Sequence, residues 1–152
     1  MPGVYTLVLD ICEDTSLRLG ALGLTRFQRG LYVYTGSAQG AGGLDARITR
    51  HLRREKKIFW HIDHLTSNPR VSVLAFVKAE EPRRTECVVN RRIRSRLDAE
   101  PTQGFGSSDC RESCLGHLLA VGSRSLSMSL EGIKEAYSES GLNPVVETVT
   151  LT

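Results

Sequence analysis

Hydrophobic positions follow two rhythms along the chain. Val4 to Ile11 (VYTLVLDI) and Val71 to Val77 (VSVLAFV) are short runs dense in β-branched residues, and each predicts a strand. Leu31 to Thr35 predicts another, with Gly30 before it and Gly36 after it marking turns. From Leu44 the rhythm becomes helical. Leu44, Ile48 and Leu52 recur at i, i+4 and i+8, the stripe of a helix packed on a sheet. A second helix is expected over Trp60–Thr66, stopped near Asn68-Pro69. Thr85 is the expected N-cap of a third, which runs to Leu97 with Val88, Val89 and Ile93 facing inwards.

The remaining segments are less regular. Glu13 to Arg29 holds Leu17, Leu19, Leu22, Leu24 and Phe27 among turn residues without a helical period. It is read as a long connection with a short strand near Ser16–Arg18. The tail predicts a strand around Leu118–Val121, a helix over Ser129–Ser138 and a last strand over Val145–Leu151. This order predicts an α/β fold: a small mixed, mainly antiparallel central sheet flanked by helices. At 152 residues the chain suits one domain, with an insertion at residues 13–29 and an extension from residue 100 onward.

Composition narrows the function classes. No apolar run approaches the ~20 residues of a membrane span, and MPGVYTLVLDICED lacks the basic start of a signal peptide. The expectation is a cytoplasmic protein with no membrane partner. The cysteines Cys12, Cys87, Cys110 and Cys114 are too few and too scattered for a disulfide scaffold. The formal net charge is only +3, but it is unevenly spread. Arg47–Lys57 carries six Lys/Arg against one Glu, and Arg83–Arg96 six Arg against one Glu. Two such basic segments point to a polyanion, or else to two solvated helix faces.

The candidate chemistry lies between those segments. Tyr32 and Tyr34 share one face of a strand, and Tyr5 joins Tyr34 if the first two strands pair. Gly36 leaves room for a ligand, and the loop Ala38–Gly43 (AQGAGG) leads into the arginine-rich helix. Arg47 and His51, at i and i+4, share one helix face. A phosphate fits between tyrosines and a guanidinium whose planar fork suits its oxygens.

Gly3-Val4-Tyr5, then Tyr34-Thr35-Gly36-Ser37-Ala38, then Arg47 with Arg50-His51, then Glu86 on a later helix, resembles the GIY-YIG nuclease family in order and in element. The resemblance covers residues 3–90, with a longer spacing between its two tyrosine motifs than the family usually has. WHIDHL (Trp60–Leu65) and GFGSSDCRESCLGHLL (Gly104–Leu119) further resemble a stand-alone prokaryotic branch of such domains. The resemblance implies metal-assisted phosphodiester hydrolysis. Glu86 is expected to hold one divalent ion, Mg²⁺ or in its place Mn²⁺, and Arg47 to neutralise charge developing at phosphorus. Tyr5, or alternatively His51, accepts the proton of the attacking water while Tyr34 positions it. Gly36, Ser37, Arg50, Arg53 and Arg54 are the expected nucleic-acid contacts, with DNA as partner and RNA as the alternative.

Other polar clusters read as structural. His61, Asp63 and His64 match no strong ligand pattern and suit hydrogen-bonded packing. Cys110, Cys114 and His117 depart from usual zinc spacing and lack a clear fourth ligand, so a buried polar packing motif is expected there. Ser107, Ser108 and Asp109 touch substrate if their loop flanks the site. Two function classes remain: a DNA endonuclease of repair or recombination that recognises structure or cuts with little sequence preference, and a nucleic-acid-binding module that does not cleave. A carboxylate at Glu86 repels DNA unless a metal accompanies it, which favours the enzyme.

Overall fold

Val4–Ile11 forms the middle of the molecule because both its alternating faces are apolar. In the computed structural model, which describes residues 1–106, 114–122 and 124–149, strand β1 (Gly3–Ile11) is buried at all but one position. Tyr5, Leu7, Leu9 and Ile11 enter one core layer, and Val4 and Val8 the other. Each such side chain removed from water contributes about 1.5–3 kcal/mol. Thr6 shares the second face, where its hydroxyl is satisfied by Thr35 and Tyr137.

The other strands are β2 (Thr15–Arg18), β3 (Leu24–Phe27), β4 (Gly30–Ala38), β5 (Val71–Glu80), β6 (Glu100–Pro101), β7 (Leu118–Gly122) and β8 (Val145–Thr148). The main sheet runs β6-β7-β4-β1-β5-β8, and every pairing among the described residues is antiparallel. Helices α1 (Gly43–Leu52) and α2 (His61–Thr66) cover the Tyr5 face, through Leu44, Ile48, Ile62 and Leu65. Helices α3 (Glu86–Leu97) and α4 (Leu126–Glu139) cover the Val4 face, through Val89, Ile93, Leu97, Ile133, Ala136 and Tyr137. The expected α/β sheet flanked by helices is therefore the fold. Among the described residues no helix is long and apolar enough to cross a membrane.

Several local expectations are corrected. Gly36 does not mark a turn: β4 runs through it to Ala38, with Gly36 paired to Tyr5. The segment after β1 contains the strand expected near Ser16–Arg18, but the rest is more than a connection. It folds into a hairpin, β2 against β3, whose Leu19 and Phe27 are buried in the Tyr5 layer. Leu52 is 40% exposed, beside a shallow hollow with Phe76 and Val149, so the buried stripe of α1 is Leu44, Ile48 and His51. Val88 is only half-buried, because the inward stripe of α3 is Val89, Ile93 and Leu97. Thr85 stands at the N-cap of α3, but its side chain makes no capping hydrogen bond. The last strand ends at Thr148, and Leu151 lies outside the described residues.

Candidate functional site

The register of β1 and β4 assembles the site. Tyr5 sits directly opposite Gly36. A Cβ at Gly36 would come within 2.5 Å of the Tyr5 hydroxyl, so only glycine lets the phenol lie across β4. The ring is 1% exposed and stands 6.5 Å from that of Tyr34. Its hydroxyl reaches His51 Nε2 at 2.7 Å. Burial pushes the Tyr5 pKa well above that of an ordinary phenol, and the Arg47 guanidinium pulls in the opposite direction without offsetting it. His51 is itself 1% exposed. Burial and the cations Lys56, Arg47 and Arg50 bring its pKa down to about 3, against the pull of Asp63. The pair is thus a protonated phenol against a neutral imidazole. His51 Nδ1 has no hydrogen-bond partner among the described residues.

Helix α1 starts where Gly42 and Gly43 take positive φ, and the Leu44 amide donates to the Met1 carbonyl. This places Arg47 over the pocket, where its Nη1 donates to the Ser37 carbonyl at 3.1 Å. The Arg47 guanidinium also lies 4.6 Å from the centre of the Trp60 ring, a stacked cation–π contact. Arg50 lies 4.5 Å from the same ring. Both of its terminal nitrogens grip the Asp63 carboxylate, at 2.7 and 2.9 Å. Asp63 is fully buried. Burial alone would raise its pKa, but the Arg50 fork and the amides of Trp60 and Phe59 hold it below the usual carboxylate range.

Lys56 completes this brace. Its ammonium donates to the carbonyls of Arg50 and His51 and to Thr66 Oγ1, closing the C-terminal end of α1. Burial lowers its pKa to about 8. Arg54 donates to the Asn68 carbonyl, whereas Arg53 is exposed.

Glu86 enters the site from the start of α3. One oxygen lies 3.7 Å from Arg84 Nε; the other, Oε2, is buried and has no hydrogen-bond partner among the described residues. Tyr5, Tyr34, Gly36, Ser37, Arg47 and Glu86 all line one pocket with a cavity volume of about 120 Å³. On that measure a single water needs about 10–15 Å³, so the pocket has room for several waters or for a small anionic group. His51 does not line it but backs the Tyr5 hydroxyl.

Sequence reasoning missed several walls of this pocket. Phe59, Trp60, His61, Arg84, Gly106 and His117 also line it. Trp60 had a signal in the sequence, as the chain's one tryptophan beside an arginine-rich helix. His61 Nδ1 accepts from the Gly106 amide at 2.9 Å, which accounts for it as a structural group. His117 comes from the start of the β7 segment and meets Cys87 and Cys114, their ligand atoms all within 4.8 Å of one another. Ser107, Ser108, Asp109 and Cys110 lie outside the described residues.

A family model described as a domain of unknown function, DUF123, matches residues 4–140, a span that includes every residue of the pocket. No curated protein matches the chain, and no solved structure does.

Proposed function

The chain belongs to the DUF123 family, and we propose that within that fold it is a divalent-metal-dependent phosphodiesterase acting on nucleic acid, a DNA endonuclease resembling the GIY-YIG nucleases. One observation carries the reading. Glu86 Oε2, a buried carboxylate oxygen with no hydrogen-bond partner among the described residues, shares a small pocket with Arg47 and with Tyr5, whose hydroxyl is backed by His51. An orphaned anionic oxygen is costly unless a cation completes it. Glu86 is a hard oxygen donor, and as a single protein ligand it suits Mg²⁺, which keeps most of its waters, with Mn²⁺ the nearest substitute. When bound, such an ion supplies charge stabilisation at the scissile phosphate and the leaving oxygen.

The chain's own groups do the rest. Arg47, held by Ser37 and by the face of Trp60, presents its fork to two phosphate oxygens. Tyr5 donates its proton to His51 Nε2, which leaves a phenol lone pair for the attacking water. As the water oxygen forms its bond to phosphorus, its proton passes to the Tyr5 oxygen and the Tyr5 proton to His51. The bond to the leaving oxygen breaks and that oxygen takes a proton from solvent, while the short-lived His51 imidazolium, disfavoured by burial and the neighbouring cations, returns its proton through Tyr5 to solvent. A free phenolate is not required, which agrees with the upward shift at Tyr5. Sharing the proton with a neutral imidazole replaces it.

Cleavage of branched and linear DNA in Mg²⁺, Mn²⁺ or EDTA tests the reading. Wild type is expected to cleave only with metal, and Glu86→Gln to abolish cleavage while DNA affinity is retained. Tyr5→Phe keeps the ring and loses about 10²-fold or more in rate. Metal-independent cleavage, or a Glu86→Gln protein as fast as wild type, would remove Glu86 from the mechanism. The second reading, a binding module without chemistry, is favoured by Phe59, which is 68% exposed at the pocket rim and offers a stacking platform for a base. DNA binding with no cleavage in any metal selects it.

A further inference from the structure

Cys87 follows Glu86 in the first turn of α3 but does not itself line the pocket. Its Sγ lies 3.8 Å from His117 Nε2. Cys114 stands with them, so that three ligand atoms gather within 4.8 Å. A zinc ion with Zn–S of about 2.3 Å and Zn–N of about 2.0 Å holds a tetrahedral sulfur–nitrogen pair roughly 3.5 Å apart and a sulfur pair roughly 3.8 Å apart. The Cys87–His117 separation of 3.8 Å is already close to its value, and the remaining contacts close to theirs with side-chain movements of roughly an ångström.

The orientation of His117 is a second and independent sign. Its Nδ1 faces the Thr35 carbonyl at 3.2 Å, which fixes the ring proton on Nδ1 and leaves Nε2 as a lone pair aimed at the cysteines. A backbone carbonyl holding the distal ring nitrogen is the usual support of a metal-ligating histidine. The main chain is pinned as well, His117 N to the Phe105 carbonyl at 2.8 Å and Thr35 N to the His117 carbonyl at 3.2 Å. The ring therefore has little freedom to turn away.

We propose that Cys87, Cys114 and His117 bind one Zn²⁺ ion, which ties the start of α3 to the segment entering β7. Two thiolates, one neutral imidazole and a dication sum to zero charge, so the centre can be buried at low electrostatic cost. Soft sulfur ligands select zinc against the Mg²⁺ assigned to Glu86. Among the described residues three side chains supply ligands. The ion acts as a strut: it holds His117, which lines the pocket beside Gly106, to Cys87, the residue that follows the pocket-lining Glu86. This inference does not depend on the nuclease reading.

The test uses the full chain purified under reducing conditions. Elemental analysis is expected to give one zinc per chain in wild type and in Cys12→Ser, a control at an exposed cysteine. Cys87→Ser and Cys114→Ser each lose the zinc, as does His117→Gln. Cobalt substitution is expected to give thiolate charge-transfer absorption in wild type that weakens in each single cysteine variant. If those variants fold poorly, wild type alone decides: chelation lowers its thermal midpoint, and Zn²⁺ but not Mg²⁺ restores it. Zinc content unchanged by both cysteine substitutions would overturn the proposal. So would a wild-type midpoint indifferent to chelator and zinc, or a Cys87–Cys114 disulfide in the purified protein.

Discussion

At the scale of single residues the site is governed by burial more than by charge. Tyr5 and His51 are both almost completely enclosed, and enclosure drives their pKa values in opposite directions, upwards for the phenol and down to about 3 for the imidazole. The imidazole carries a consequence for stability. Unfolded, His51 takes up a proton below about pH 6.5, whereas folded it stays neutral until about pH 3. The unfolded chain therefore binds more protons in that window, and stability falls as pH drops through it. Above about pH 6.5 the contribution of His51 is constant. Denaturant unfolding from neutral pH down to about pH 5, above the carboxylate range, is expected to show a slope approaching 1.4 kcal/mol per pH unit from this residue. His61, also shifted downwards by burial, adds in the same sense. His51→Asn should flatten the slope, and an unchanged slope would assign it elsewhere.

At the scale of elements, α1 and α2 are joined by one buried carboxylate. Asp63 receives Arg50 from α1, while its own helix start supplies the amides of Phe59 and Trp60. Replacing Asp63 by Asn leaves the guanidinium and both amides facing a poorer acceptor. Breaking a buried pair costs about 3–5 kcal/mol. Asp63→Asn is therefore expected to lower the unfolding free energy on that scale and to shift Trp60 fluorescence, since Arg50 stacks on that ring. Retained stability would mean that the brace is dispensable. The elements themselves were legible to different degrees. β1, β5, α1 and α3 showed in the sequence because each packs a regular apolar stripe. β2 showed as the short strand near Ser16–Arg18, but its partner β3 was hidden, because a four-residue strand with mostly outward positions leaves little periodic signal. Tyr5, Arg47 and Glu86 could be picked out by motif order, but the Trp60 stack and the meeting of Cys87 with His117 could not. Cys87 and His117 lie in separate segments, and the Trp60 stack crosses from α1 to the entrance of α2, so no single helical or strand period encodes either.

At the scale of the whole molecule, the basic surface divides into braced and available charge. Arg50 is held by Asp63 and Arg54 by the Asn68 carbonyl. Arg53 is exposed, and Arg84 stands at the pocket with its side chain half exposed. Binding to DNA measured across salt concentrations is therefore expected to lose about one unit of log–log slope for Arg53→Ala or Arg84→Ala. Arg50→Ala should act on stability more than on slope; the reverse pattern would place Arg50 on the phosphates. The sheet order has a further implication, for kinetics. Gly3 pairs with both Ala38 and Glu80, and Leu31 with Gly122, so neighbouring strands are separated by long stretches of chain. Such contacts must each close a large loop before they stabilise anything, which places the chain among slow folders, in milliseconds to seconds. Because Tyr5 belongs to the strand on which both closures converge, no early helical intermediate can carry a working pocket. Activity regained on refolding should track the slowest, global phase.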